Sequence, residues 1–111
     1  MSGITTHVLD TSRGRPAAGV AITLERMDEG RWQLLGRGHT DSDGRLRDLL
    51  KEPLTAATYR LTFGTGAYFK AGGGNCFFPE VTVTFDIQDT ASHYHVPLLL
   101  SPYGYTTYRG S

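Results

Sequence analysis

Residues 80–87 read EVTVTFDI. In an extended chain Val81, Val83, Phe85 and Ile87 fall on one side, and Thr82, Thr84 and Asp86 on the other. This alternation is the mark of a half-buried strand, because successive side chains point to opposite faces. The same period of two recurs on both sides of this stretch. Upstream, TYRLTF (58–63) sets Tyr59, Leu61 and Phe63 against Thr58, Arg60 and Thr62. In GVAITLERM (19–27), Val20, Ile22 and Leu24 share a face. The turn DEGR then leads into RWQLLGRG, which predicts a hairpin over 19–38. Downstream, YHVPLLL (94–100) and GYTTYR (104–109) read as two more strands.

The connecting segments carry turn chemistry. DSDG (41–44) is a strong turn signal, and LRDLLKEPL (46–54), broken by Pro53, predicts a loop or a single helical turn. GTGAYFKAGGG (64–74) has room for a helix of about two turns, stopped by three glycines. Six or seven strands with little helix suit two layers of antiparallel sheet, each burying one apolar face. A sandwich is the first expectation and a small barrel the second.

The 111 residues suit one domain, 1–111, with one core. Eleven basic residues balance eleven acidic ones, which leaves no electrostatic surplus for a nucleic-acid partner. No stretch approaches the apolar length of a membrane span. MSGITTHVLD lacks the basic start and apolar run of a signal peptide, and the single Cys76 has no partner for an internal disulfide, so the expected location is cytoplasmic.

Candidate chemistry comes from what the strands turn away from the core. In SHYHVPLLLS (92–101), Tyr94, Val96, Leu98 and Leu100 read as the core face. His93, His95, Pro97 and Leu99 face the other way. Pro97 has no amide to donate, which predicts an edge strand or a nearby bulge. In ITTHVLD (4–10), Ile4, Thr6 and Val8 share a face, opposite Thr5, His7 and Leu9. His7 and His95 therefore lie outside the core. Brought together they would share a proton, bind a metal or activate water, although most lone histidines are surface or satisfied polar groups. His39, His93 and Cys76 are available as further metal ligands, but no close-spaced zinc signature is present, and neither a metal nor a cofactor is expected. Arg45 and Arg47 follow the DSDG turn; arginine's planar fork suits carboxylate, amide or enolate oxygens. Nothing marks Cys76 as a nucleophile, and no phosphate-binding loop, dinucleotide fingerprint or serine-hydrolase elbow is present.

Taken in order, THVLDTSRGRPAAGV, TDSDGR, TYRLTFGTGAYF, FFPEVTVTF and HYHVPLLLSPYGYTTYRGS resemble the 5-hydroxyisourate hydrolases, the transthyretin-related enzymes of the transthyretin family. The likeness runs from about residue 4 to residue 111. The terminal YRGS is its sharpest element, since it separates the hydrolases from the hormone-carrying transthyretins.

The resemblance implies an all-β, transthyretin-like two-sheet antiparallel sandwich of about eight strands, with one short helix near Gly66–Gly72. It also implies a homotetramer, a dimer of dimers, with the sites in a central channel. The implied reaction is hydrolytic opening of the six-membered ring of 5-hydroxyisourate, giving 2-oxo-4-hydroxy-4-carboxy-5-ureidoimidazoline in urate catabolism. Matched to the motifs, the catalytic residues are His7, Arg45, His95 and Ser111, with Arg45, Tyr108 and Ser111 on the substrate. The two histidines would divide the proton work, in either order, and Arg109 would be structural. The competing expectation is a channel protein that binds a small aromatic ligand without catalysis.

Overall fold

In the computed structural model, residues 3–111 are described, and nearly every expected strand forms. β1 spans Gly3–Asp10, β2 Arg15–Pro16, β3 Ala21–Asp28, β4 Arg31–His39 and β5 Arg45–Leu46. β6 spans Ala57–Phe63, α1 Thr65–Ala71, β7 Val81–Ile87, β8 His93–Ser101 and β9 Gly104–Thr107. One sheet runs β4-β3-β6-β7, and the other β2-β1-β8-β9 with β5 also on β1. The two sheets face each other across a common core, so the sandwich holds and the barrel does not.

The period-two faces are where the alternation puts them. Val20, Ile22, Leu24, Tyr59, Leu61 and Phe63 are fully buried, as are Val8, Leu98 and Leu100. Each such side chain contributes roughly 1.5–3 kcal/mol by leaving water. The one buried hydroxyl in the middle of β1, Thr6, donates to the Val96 carbonyl at 2.6 Å, so its burial leaves no polar group unpaired. Asp10, at the end of β1, accepts from the Ser12 and Tyr68 hydroxyls at 2.5 and 2.7 Å, which ties α1 to this sheet.

Four details depart from the expectations. The helix begins at Thr65 and ends at Ala71, one residue earlier at each end than the resemblance implies. Residues 46–54 hold no helical turn; Leu46 closes the short strand β5 and the rest is irregular. β1 and β8 pair in parallel, Thr5 opposite His95 and His7 opposite Pro97, within an otherwise antiparallel sandwich. They lie at opposite ends of the chain and are joined through the other sheet, so no hairpin dictates their direction.

The fourth concerns Pro97, which is buried in an interior strand, not an edge. β9 pairs with β8 up to Leu98–Thr107, and the same register resumes only at the single bridge His95–Gly110. The ladder lapses where Pro97 offers no N–H, and the Thr107 hydroxyl takes the free Pro97 carbonyl at 2.8 Å.

Candidate active site

The parallel pairing of β1 and β8 assembles the site. Their outward residues, Thr5 and His7 on one strand and His93 and His95 on the other, form one polar patch on the outer face of the sheet. β5 adds to it from the far side of β1, with Arg45 directly opposite His7.

The DSDG turn delivers that arginine. The Asp41 carboxylate accepts from the backbone N–H groups of Asp43 and Arg45, both at 2.9 Å. Those bonds, the one from Arg45 first, hold its carboxyl below the usual carboxylate range. Gly44 has φ +74°, and a Cβ there would stand 2.4 Å from the Val8 carbonyl oxygen. Only glycine lets the turn lie this close to β1, where the Val8 N–H donates to the Gly44 carbonyl at 2.7 Å.

The end of the chain closes the other side. Past β9 the Gly110 N–H donates to the His95 carbonyl at 2.8 Å, which brings Ser111 to the same hollow. A Cβ on Gly110 would lie 2.5 Å from Cδ2 of His95, so glycine is what lets the backbone run across the face of this imidazole. The YRGS order thus has a local cause: one residue bridges to β8, and the next reaches the site.

The result is a hollow of about 310 Å³ lined by Thr5, Thr6, Arg45, Arg47, His93, His95 and Ser111. His95 is half-buried, and its Nδ1 meets the Thr5 hydroxyl at 2.8 Å. Burial first, then the positive charge of Arg45 and the neighbouring His7 and His93, push its pKa below the usual imidazole value. His95 is therefore neutral at pH 7 and able to accept a proton.

The family resemblance implies that His7, Arg45, His95 and Ser111 act together. The structure sets three of them around one hollow, with His7 on the same face beside Arg45. The His7 Nε2 lies 2.9 Å from the Asp43 carbonyl. A carbonyl only accepts, so this nitrogen carries the proton and the His7 lone pair is on Nδ1. Tyr108 stands apart. With Arg109 it lines a second hollow, of about 260 Å³, between β7 and the end of β9, where Arg109 lies over the Tyr94 ring.

Three residues of the first hollow, Thr5, Thr6 and Arg47, have no expected role beside the substrate, and His93 is expected only as a spare metal ligand. The period-two pattern already put Thr5 on the His7 face and His93 on the His95 face. What it lacked was the parallel register that joins them. Among the described residues, no three His, Cys, Asp or Glu side chains come together as a metal would need.

A family model described as HIUase/Transthyretin matches residues 4–110. This chain belongs to the HIUase/transthyretin family. Within that family it is 50% identical over 109 residues to the 5-hydroxyisourate hydrolase of Salmonella dublin, across 97% of this chain and 80% of that protein. The Klebsiella pneumoniae 5-hydroxyisourate hydrolase structure superposes with a TM-score of 0.87 at 40% identity, covering 99% of this chain and all of that one. Sea bream transthyretin in complex with thyroxine gives 0.90 at 34%, covering 96% and 93%. Backbone shape alone thus does not separate the Klebsiella hydrolase from the thyroxine-bound transthyretin.

Proposed function

We propose that this chain is a 5-hydroxyisourate hydrolase of urate catabolism, opening the substrate's six-membered ring at an amide-type C–N bond. The observation that carries the reading is the hollow itself: a neutral, half-buried imidazole beside a guanidinium and a hydroxyl, on a chain half identical to an enzyme of that name.

In this reading His95 takes the proton from the attacking water through its Nε2, the nitrogen turned away from Thr5. Arg45 holds the polar edge of the substrate and favours charge on the oxygen that gains it. His7, with its Nε2–H fixed on Asp43, orients the water through Nδ1, and the proton that His95 takes goes on to the leaving nitrogen. The Ser111 hydroxyl hydrogen-bonds substrate or water and is not a covalent nucleophile, since no base-and-orienter pair surrounds it. Tyr108, at the β7–β9 edge within one chain, comes beside the substrate by the motif alone.

Assembly as a homotetramer, a dimer of dimers, and a cytoplasmic location belong to the same proposal. The outer edges of β7 and β9 carry no partner strand among the described residues, and both bound the second hollow. Unpaired edges of this kind invite a second copy to extend the sheets.

The test is to generate 5-hydroxyisourate with urate oxidase and follow its absorbance. The proposal expects decay to accelerate in proportion to added protein. Decay at the uncatalysed rate with an intact oligomer would reject it and favour a channel that holds a small aromatic ligand.

A further inference from the structure

One hydroxyl stands between two imidazoles. Thr5 Oγ1 lies 2.8 Å from Nδ1 of His95 and 3.0 Å from Nε2 of His93. Both contacts are hydrogen bonds, yet a threonine hydroxyl has a single proton to give. If it donates to His95, then His93 must donate to Thr5 through Nε2–H. If it donates to His93, then His95 must donate through Nδ1–H. An arrangement in which both rings donate leaves the hydroxyl proton with no partner among the described residues.

These two states differ at the reacting nitrogen. In the first, His95 accepts at Nδ1 and carries its proton on Nε2, so it has no lone pair to offer water. In the second, its proton sits on Nδ1 and Nε2 is free as a base. When His93 gains a proton its Nε2–H becomes an obligatory donor, which turns the Thr5 proton toward His95 and selects the first state. We propose that Thr5 is a positioning residue that links His95 to His93, so that protonation of His93 takes His95 out of its base form. This inference deepens the hydrolase reading and rests on it only for the role of the His95 Nε2.

The charges around both rings are nameable. His95 faces His7 from β1, Arg45 from β5, Arg47 from the loop after it, His93 from its own strand, and the chain end at Ser111. His93 faces Arg47, Asp48 and Lys51 from the loop following β5. Among the described residues only the two histidines bond Thr5 Oγ1 through their side chains, so the hydroxyl links their tautomers in addition to the direct repulsion between the rings.

The test uses the whole 111-residue chain without substrate. Long-range proton–nitrogen spectra follow the ring nitrogens of His93 and His95 across pH in wild type, Thr5→Val and Thr5→Ser. In wild type the His95 Nδ1 and Nε2 signals move in two steps, one of which coincides with the titration of His93. Thr5→Val keeps the shape of the side chain and removes the hydroxyl; the exchange of the His95 proton between Nδ1 and Nε2 at the His93 step is then lost, and only the shift from direct repulsion between the two rings stays. Thr5→Ser retains the exchange.

In the 5-hydroxyisourate assay, Thr5→Val lowers kcat about tenfold with KM little changed, the scale set by losing the outer partner of a functional histidine. An identical two-step His95 curve in Thr5→Val would overturn the link, as would Thr5→Ser behaving like Thr5→Val. Because the spectra need no turnover, a coupled pair in a protein that fails to hydrolyse the substrate would reject the hydrolase reading alone.

Discussion

The sandwich has two outer faces, and they treat charge in opposite ways. On the β3–β6 face Arg60 is paired within the chain. Arg60 bonds Glu25 at 2.6 Å and lies over the Trp32 ring. On the β1–β8 face Arg45 and Arg47 form no salt bridge to a carboxylate among the described residues, and three histidines gather around them. One face is a finished surface. The other holds positive charge and a neutral base in reserve for something polar that arrives from outside the chain. The same pleated architecture supports both, so function here depends on which side chains the alternation turns outward.

Substitutions on the two faces should therefore act on different quantities. The largest effect is expected from removing residues 108–111. This takes away both the Gly110 bridge to His95 and Ser111, and turnover of 5-hydroxyisourate should fall on the order of 10³-fold. The sandwich should persist, because β9 itself ends at Thr107; circular dichroism and turnover measured on the same sample check both halves.

Arg45→Ala comes next, with kcat/KM down on the order of 10²-fold. Its sharper signature is in pH. Activity should drop on the acid side as His95 gains a proton, and Arg45 is one of the causes that keep that pKa low. Without this cation the proton binds His95 more readily, so the acid limb of the pH–rate profile should move to higher pH. A limb that stays in place would show that the titrating base is not His95.

The smallest effect is expected on the paired face. Arg60→Ala should cost under about 1 kcal/mol in a denaturant titration, since both members of the Arg60–Glu25 pair are partly exposed. It should leave turnover per folded molecule as it was. A large loss of activity there would erase the contrast between the two faces.

Much of this was legible before any coordinates. The period of two in EVTVTFDI and TYRLTF is a local property, and it fixed which residues face the core. It also turned Thr5, His7, His93 and His95 outward. Pairings of two residues, such as β2 and β5, leave no period to read. The parallel register of β1 and β8 is set by tertiary packing across the whole chain, and without it nothing places Thr5 between His93 and His95. Pro97 misled for a related reason. Its missing donor signals an interrupted ladder, and that interruption here lies inside the sheet, where β9 lets go and the terminal residues return. Tyr108 was assigned to the substrate by motif; within one chain it lines the neighbouring hollow.

The most direct measurement compares wild type with His95→Asn on freshly generated 5-hydroxyisourate, at equal concentrations of folded protein. Asparagine keeps a polar side chain in the hollow and removes the titratable lone pair. The account predicts protein-dependent decay in wild type and a loss on the order of 10²–10³-fold in His95→Asn, with thermal stability little altered. Rates within a few-fold of each other would contradict it, and would mean that the β1–β8 face does not use His95 as its base.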